Sequence, residues 1–216
     1  MTIATPATSV LSQFTGGASV DYDLMIGVGL DKDSDAVFFQ YVGDEGKYIA
    51  LTVPTSGKPL QQFKAVRLSK ISIAEDIGTF HATKLNVYLE STEGATVMVT
   101  SGLNTMWSQC VVTALMGLYG HATYTMGDRF TFWSKKGDQG MRPSFASIFI
   151  DSERIGDNEM YTQLAEARAD RASDKIEAIM RDSVSILDAE INGVPADVSV
   201  LEELRALPSA DQTPDF

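Results

Sequence analysis

Side chains able to do covalent chemistry are few. The 216 residues hold two histidines, His81 and His121, and one cysteine, Cys110. Neither histidine has a second ligand at metal spacing, so both read as ordinary structural or surface histidines. Cys110 falls on the apolar face of a helical stretch and reads as a small buried hydrophobe. A single cysteine excludes an internal disulfide framework and a multi-cysteine zinc site, which fits a reducing compartment. Ile26-Gly27-Val28-Gly29-Leu30 lacks a third glycine, and no Gly-Lys-Ser/Thr follows, so it does not make a phosphate loop. Asp31, Asp33 and Asp35 alternate like calcium ligands, but the turn glycine and the closing Glu are missing. The expectation is a non-enzymatic chain with no catalytic residues, no metal and no cofactor.

Residue types suited to binding are richer. Alternation along 129–135 puts Arg129, Thr131, Trp133 and Lys135 on one face and Phe130 and Phe132 on the other. The second set suits a core. The first presents a tryptophan among cations, which is what base stacking plus phosphate neutralisation requires. Lys136 and Arg142 extend it into the adjoining loop. Lys64, Arg67 and Lys70 on one strand, and Lys84 and Tyr88 on the next, are candidates for the same groove. Trp133, Tyr88 and Tyr124 would stack on bases. The competing reading is scattered surface cations with Trp133 packed under a helix. Trp107 reads as core. A separate feature is the tip, Asp211-Gln212-Thr213-Pro214-Asp215-Phe216. A terminal Phe with acidic neighbours suits insertion into a partner's apolar pocket with a basic rim, so Asp211, Pro214, Asp215 and Phe216 are the candidate partner-binding residues.

Charge is unevenly placed. The net charge is −12. Residues 1–57 carry 2 basic and 7 acidic side chains, residues 58–154 carry 10 and 8, and residues 155–216 carry 5 and 14. A mildly basic middle between acidic ends fits either ordinary surface charge or a polyanion-binding core with acidic appendages. No apolar run approaches bilayer length, and residues 1–20 lack a basic n-region. The expectation is a soluble cytoplasmic protein with no membrane partner.

These residues need elements to position them. Residues 1–20, rich in Thr, Ser, Ala and Gly, read as an arm, and Asp21–Leu30 as one added strand. Val37–Val42 and Lys47–Val53 read as a hairpin about the turn 43–46. Phe63–Ile73, Phe80–Glu90 and Thr96–Ser101 read as strands. Asn104–Tyr119 reads as a helix, capped by Asn104 or Thr105 and stopped by Gly120. Arg129–Lys135 and Ser144–Ile150 read as two further strands. Met160, Leu164, Ala167, Ile176, Met180, Val184, Leu187 and Ile191 make a helical stripe over 158–192, with a gap at Asp170–Ser173 that marks a candidate break. The order strand, strand, strand, helix, strand, strand is that of an OB barrel. A generic small α+β sheet gives the same order.

Together these features resemble the single-stranded DNA-binding proteins of bacteria and phages, with the T7-like phage type closest in overall plan. The resemblance covers about residues 58–155 and the tip at 211–216. It implies single-stranded DNA as ligand, in replication, recombination or repair. It also implies a C-terminal tail that recruits replication or recombination proteins, and host cytoplasm as the location if the chain is phage-encoded. The chain departs from the family in its sparse tip acids, its extra hairpin before the barrel and its long helix.

The expected fold is α+β and mainly β: an OB-like five-stranded barrel with an extra N-terminal hairpin (21–156), a long amphipathic helix (157–193) and an acidic tail (194–216). The helix would pack on its own barrel or pair with a second copy as a homo-oligomer. The alternative function is a non-enzymatic protein–protein adaptor or structural assembly subunit, for example a virion component.

Overall fold

The computed structural model describes residues 22–31, 34–42, 47–77, 81–137 and 143–193. Outside them lie the N-terminal arm, Asp33, the turn 43–46, Phe80, Arg142 and the tail 194–216 with Asp211, Pro214, Asp215 and Phe216.

Among the described residues, runs of β-branched and aromatic residues become nine strands. They are β1 (Leu24–Val28), β2 (Phe38–Val42), β3 (Lys47–Ala50), β4 (Gln62–Ile77), β5 (Ala82–Glu90), β6 (Thr96–Gly102), β7 (Phe130–Lys136), β8 (Ser144–Ile150) and β9 (Glu153–Ile155). Three helices accompany them among the described residues: α1 (Met106–Tyr119) between β6 and β7, then α2 (Asn158–Ala169) and α3 (Ser173–Ile191). The strands form one sheet in the order β3-β2-β1-β6-β5-β4-β7-β8-β9. Neighbours are antiparallel except β1 and β6, which run parallel with Leu24 beside Val97.

The mixed α+β class is as expected, but a closed five-stranded barrel is not formed. The expected block of strands is present and contiguous, as β6-β5-β4-β7-β8. Closure would need β6 to meet β8. Instead β1 pairs with the outer edge of β6, and β9 pairs with β8. The sheet is open.

β4 holds the two halves together. Its first residues pair with β7 and the rest pair with β5. Register shifts fall between Phe63 and Val66, between Leu68 and Lys70 and between Ala74 and Ile77. At the first, Ala65 has φ 51°, a left-handed conformation that costs an L-residue about 1–2 kcal/mol. Each bulge inserts one extra residue and resets the alternation. Phe63, Val66, Leu68 and Ile71 therefore all face the core.

Inward faces from both halves merge into one apolar cluster with α1, α2 and α3. Trp107 is at its centre, 1% exposed, donating from Nε1 to Ser134 Oγ at 3.0 Å, with its ring edge-on to Phe132. Thr105 caps α1 by accepting from Ser108 N, and Gly120 ends it. In the last turn of α1, Gly117 lies against the backbone of Gly156, where a Cβ would overlap it.

The expected long helix is two helices. α2 ends at Asp170, and the chain turns through Arg171 with φ 56° before α3 begins. The gap in the apolar stripe falls at this break. The stripe itself, including Leu164, Met180, Val184 and Leu187, is buried in the chain's own core. Arg181 pins α3 to β4 by donating to Glu75 Oε1 at 2.5 Å and to Glu177 Oε1 at 2.6 Å.

Candidate functional site

Alternation along β7 places Phe130, Phe132, Ser134 and Lys136 in the core and leaves Thr131, Trp133 and Lys135 facing outward. Register with β8 sets Trp133 beside Ser147 and Lys135 beside Phe145, with Thr131 beside Phe149. β9 then sets Arg154 beside Phe149. The outward face of these three strands thus carries three aromatic rings and two cations around an open groove of about 730 Å³. Lys135 Nζ lies 5.9 Å from the Trp133 ring centroid. No carboxylate lines the groove among the described residues.

Cys110 of α1 is among the residues lining the groove, and burial pushes its thiol pKa up. It is a partly covered, protonated thiol, not an activated nucleophile.

The other predicted residues divide by environment. The first two bulges of β4 keep Lys64, Arg67 and Lys70 on the outward face that bears Trp133, although their spacing of three would alternate faces in a regular strand. Lys64 is exposed there without an ion pair among the described residues. Arg67 is held by both carboxylate oxygens of Glu90, at 2.9 and 2.8 Å. Arg129 is exposed, and its guanidinium donates to the carbonyls of Ala65, at 2.9 Å, and Glu90, bracing the bulge. Lys84 and Tyr88 are outward on β5. Tyr88 is only 7% exposed, with Lys70 Nζ 5.2 Å from its ring centroid and Tyr22 against it. It is covered as it stands, not a free stacking platform.

Two expectations of position are corrected. Lys136 is not an outward extension of the Trp133 face. It is 6% exposed and donates to the carbonyls of Asp31 and of Ser34, the latter at 2.6 Å, tying the β1–β2 connection to β7. Its phase with Phe130 and Phe132 carried that signal in the sequence. Tyr124 sits away from the groove. It stacks on His121 with ring centroids 4.8 Å apart, beside Asp151 at the far end of β8. Partial burial and the charges of Asp151 and Glu153 push its phenol pKa up. Arg142 and the four tip residues lie outside the described residues.

Sequence reading missed Phe145, Phe149 and Arg154. The signal was the alternation of β8, where Ala146, Ile148 and Ile150 are buried and Phe145 and Phe149 are on the opposite side.

No helix among the described residues is long and apolar enough to cross a membrane. Nor do three or more His, Cys, Asp or Glu side chains gather there in a metal-binding arrangement.

The chain matches no family model, no curated protein and no solved structure.

Proposed function

We propose that this protein binds single-stranded DNA without catalysis and with little sequence preference, in replication, recombination or repair. One observation carries the reading. In a chain of net charge −12, the described residues keep carboxylates off one groove and line it with Trp133, Phe145, Phe149, Lys135 and Arg154. Stacking on aromatic faces is tolerant of sequence because every base has a π-face, and cations beside the rings neutralise phosphates. The contiguous strand block with α1 inserted supports the same reading, since its order is that of the OB proteins the sequence resembles. In this reading the C-terminal tip recruits partner proteins.

The test is a titration of the full chain with fluorescent oligo-dT at low and high salt. Binding at low salt is expected to weaken steeply as salt rises, because neutralised phosphates release counterions. Trp133→Ala is expected to weaken it by about 1–3 kcal/mol. Absence of binding at low salt would overturn the proposal. A parallel titration with oligo-U assigns the preference between DNA and RNA.

A second reading, an assembly subunit or adaptor, draws on β3 at one end of the sheet order. It presents Tyr48, 54% exposed, against Tyr41, 45% exposed, with ring centroids 5.1 Å apart. Exposed edge strands with apolar side chains favour pairing with another chain. A solution mass above that of one chain, lowered by Tyr48→Lys, would support this reading.

A further inference from the structure

The groove does not stop at Arg154. A second depression of about 340 Å³ shares Cys110, Ala146, Ser147 and Arg154 with it and runs on to Tyr161 of α2. Tyr161 is 60% exposed, the most exposed large apolar side chain among the described residues. Arg168 lies over its ring at 5.9 Å, the same distance that separates Lys135 from Trp133. Arg168 is itself fixed, donating from one guanidinium nitrogen to Gln109 Oε1 of α1.

The charges on α2 are sorted by face. Residues three, four and seven apart share one side of a helix. Asn158, Tyr161, Ala165 and Arg168 therefore form one side, with no acid, while Glu159 and Glu166 fall together on another. One carboxylate lines the second depression, Asp157, and it is engaged as the α2 cap, accepting from Met160 N at 2.9 Å. A solvated helix face needs neither a bare tyrosine nor this sorting.

We infer that α2 continues the nucleic-acid groove, with Tyr161 as a further stacking platform and Arg154 and Arg168 as the cations beside it. The occupant is the same single strand that lies over Trp133. Continuity with that groove and charge complementarity to a polyanion favour this occupant. The inference rests on the binding reading above. It adds that the C-terminal helices touch ligand and do more than cover the core.

The test uses the full chain with oligo-dT of two lengths, about 5 and about 15 nucleotides, within the range of site sizes for such grooves. Tyr161→Ala is expected to weaken the longer oligonucleotide roughly five- to a hundredfold and to leave melting temperature unchanged. Tyr161→Phe is expected to bind like the unmodified protein, because the ring and not the hydroxyl is used. The shorter oligonucleotide is expected to respond to Trp133→Ala more than to Tyr161→Ala. If Tyr161→Ala leaves both lengths untouched while Trp133→Ala weakens them, the α2 extension is wrong and the groove reading stands. If neither length binds the unmodified protein at low salt, both fail. If Tyr161→Ala lowers the solution mass and leaves DNA affinity unchanged, the exposed ring serves self-association and the inference is overturned.

Discussion

Lys135 stands on the outward face near the Trp133 ring, while its neighbour Lys136 is buried with backbone carbonyls. The two substitutions therefore separate binding from stability. Lys135→Ala is expected to lower oligo-dT affinity severalfold with an unchanged denaturation midpoint. Lys136→Met is expected to destabilise by about 1–3 kcal/mol, because it removes the buried ammonium's hydrogen bonds to two backbone carbonyls, and to shift the midpoint in a urea melt. Cys110 supplies a third probe. Its raised thiol pKa keeps the reactive thiolate scarce at neutral pH, so labelling by a thiol reagent is expected to be slower than for an unhindered cysteine. Saturating oligo-dT is expected to slow it further, since Cys110 lines the groove. Trp133 was legible because strict alternation separates it from Phe130 and Phe132. Phe145 and Phe149 were equally regular but sat in a strand read only for its existence. The duties of Arg67 and Arg129 were not legible. They depend on Glu90 and Ala65, which a bulged register brings near.

Bulges and breaks decide what each element presents. Ala65→Gly should relieve the left-handed strain at φ 51° and stabilise by about 0.5–1 kcal/mol. A thermal melt that falls instead would show that the residue's side chain matters more than its backbone. Gly117→Ala should destabilise by about 1–3 kcal/mol or more, because α1 and Gly156 leave no room for a methyl group. The α3–β4 tie has a pH signature. Hydrogen bonding from Arg181, with help from Thr83, holds the Glu75 pKa below its ordinary 4.5. A depressed carboxylate contributes stability above its unfolded pKa and loses it as pH falls through the folded value. Melting curves of the unmodified protein and Glu75→Gln should therefore separate slightly at neutral pH and converge in acid. The separation stays small because the pair is exposed. Strands β4 to β8 and α1 were legible from periodicity and caps. β9 was not, being three residues long behind an Asp151-Ser152 turn with φ values of 47° and 70°. Three residues are too few to show a period.

At the scale of the whole chain, the sheet is longer than the sequence order of its middle strands implied, and it stays open. The reason is competition for edges: β1 takes that of β6 and β9 takes that of β8. No local pattern in Leu24–Val28 says which strand it will join, since pairing is a long-range choice. The C-terminal helices show the same limit. Their stripe was readable, but its destination in the shared core was not. Removing residues 158–193 should therefore prevent cooperative folding, which circular dichroism of the truncated chain would check.

The parallel pairing of β1 has a consequence for how the molecule is made. Asp23 accepts a hydrogen bond from the Thr96 amide across a separation of 73 residues. The earliest of the described strands can thus pair only with β2 at first, and its other edge stays open until β6 has been synthesised, at about 5–20 residues per second. For those seconds Leu24-Met25-Ile26 is an apolar strand with one edge unpaired. Pairings between distant segments also close late, because loop entropy must be met before contacts reward it. β1 is therefore expected among the last strands to gain protection from amide exchange during refolding, after the β4–β5–β6 meander. Overexpression at high temperature should aggregate the nascent chain, and a hydrophilic substitution at the exposed Met25 should lessen it.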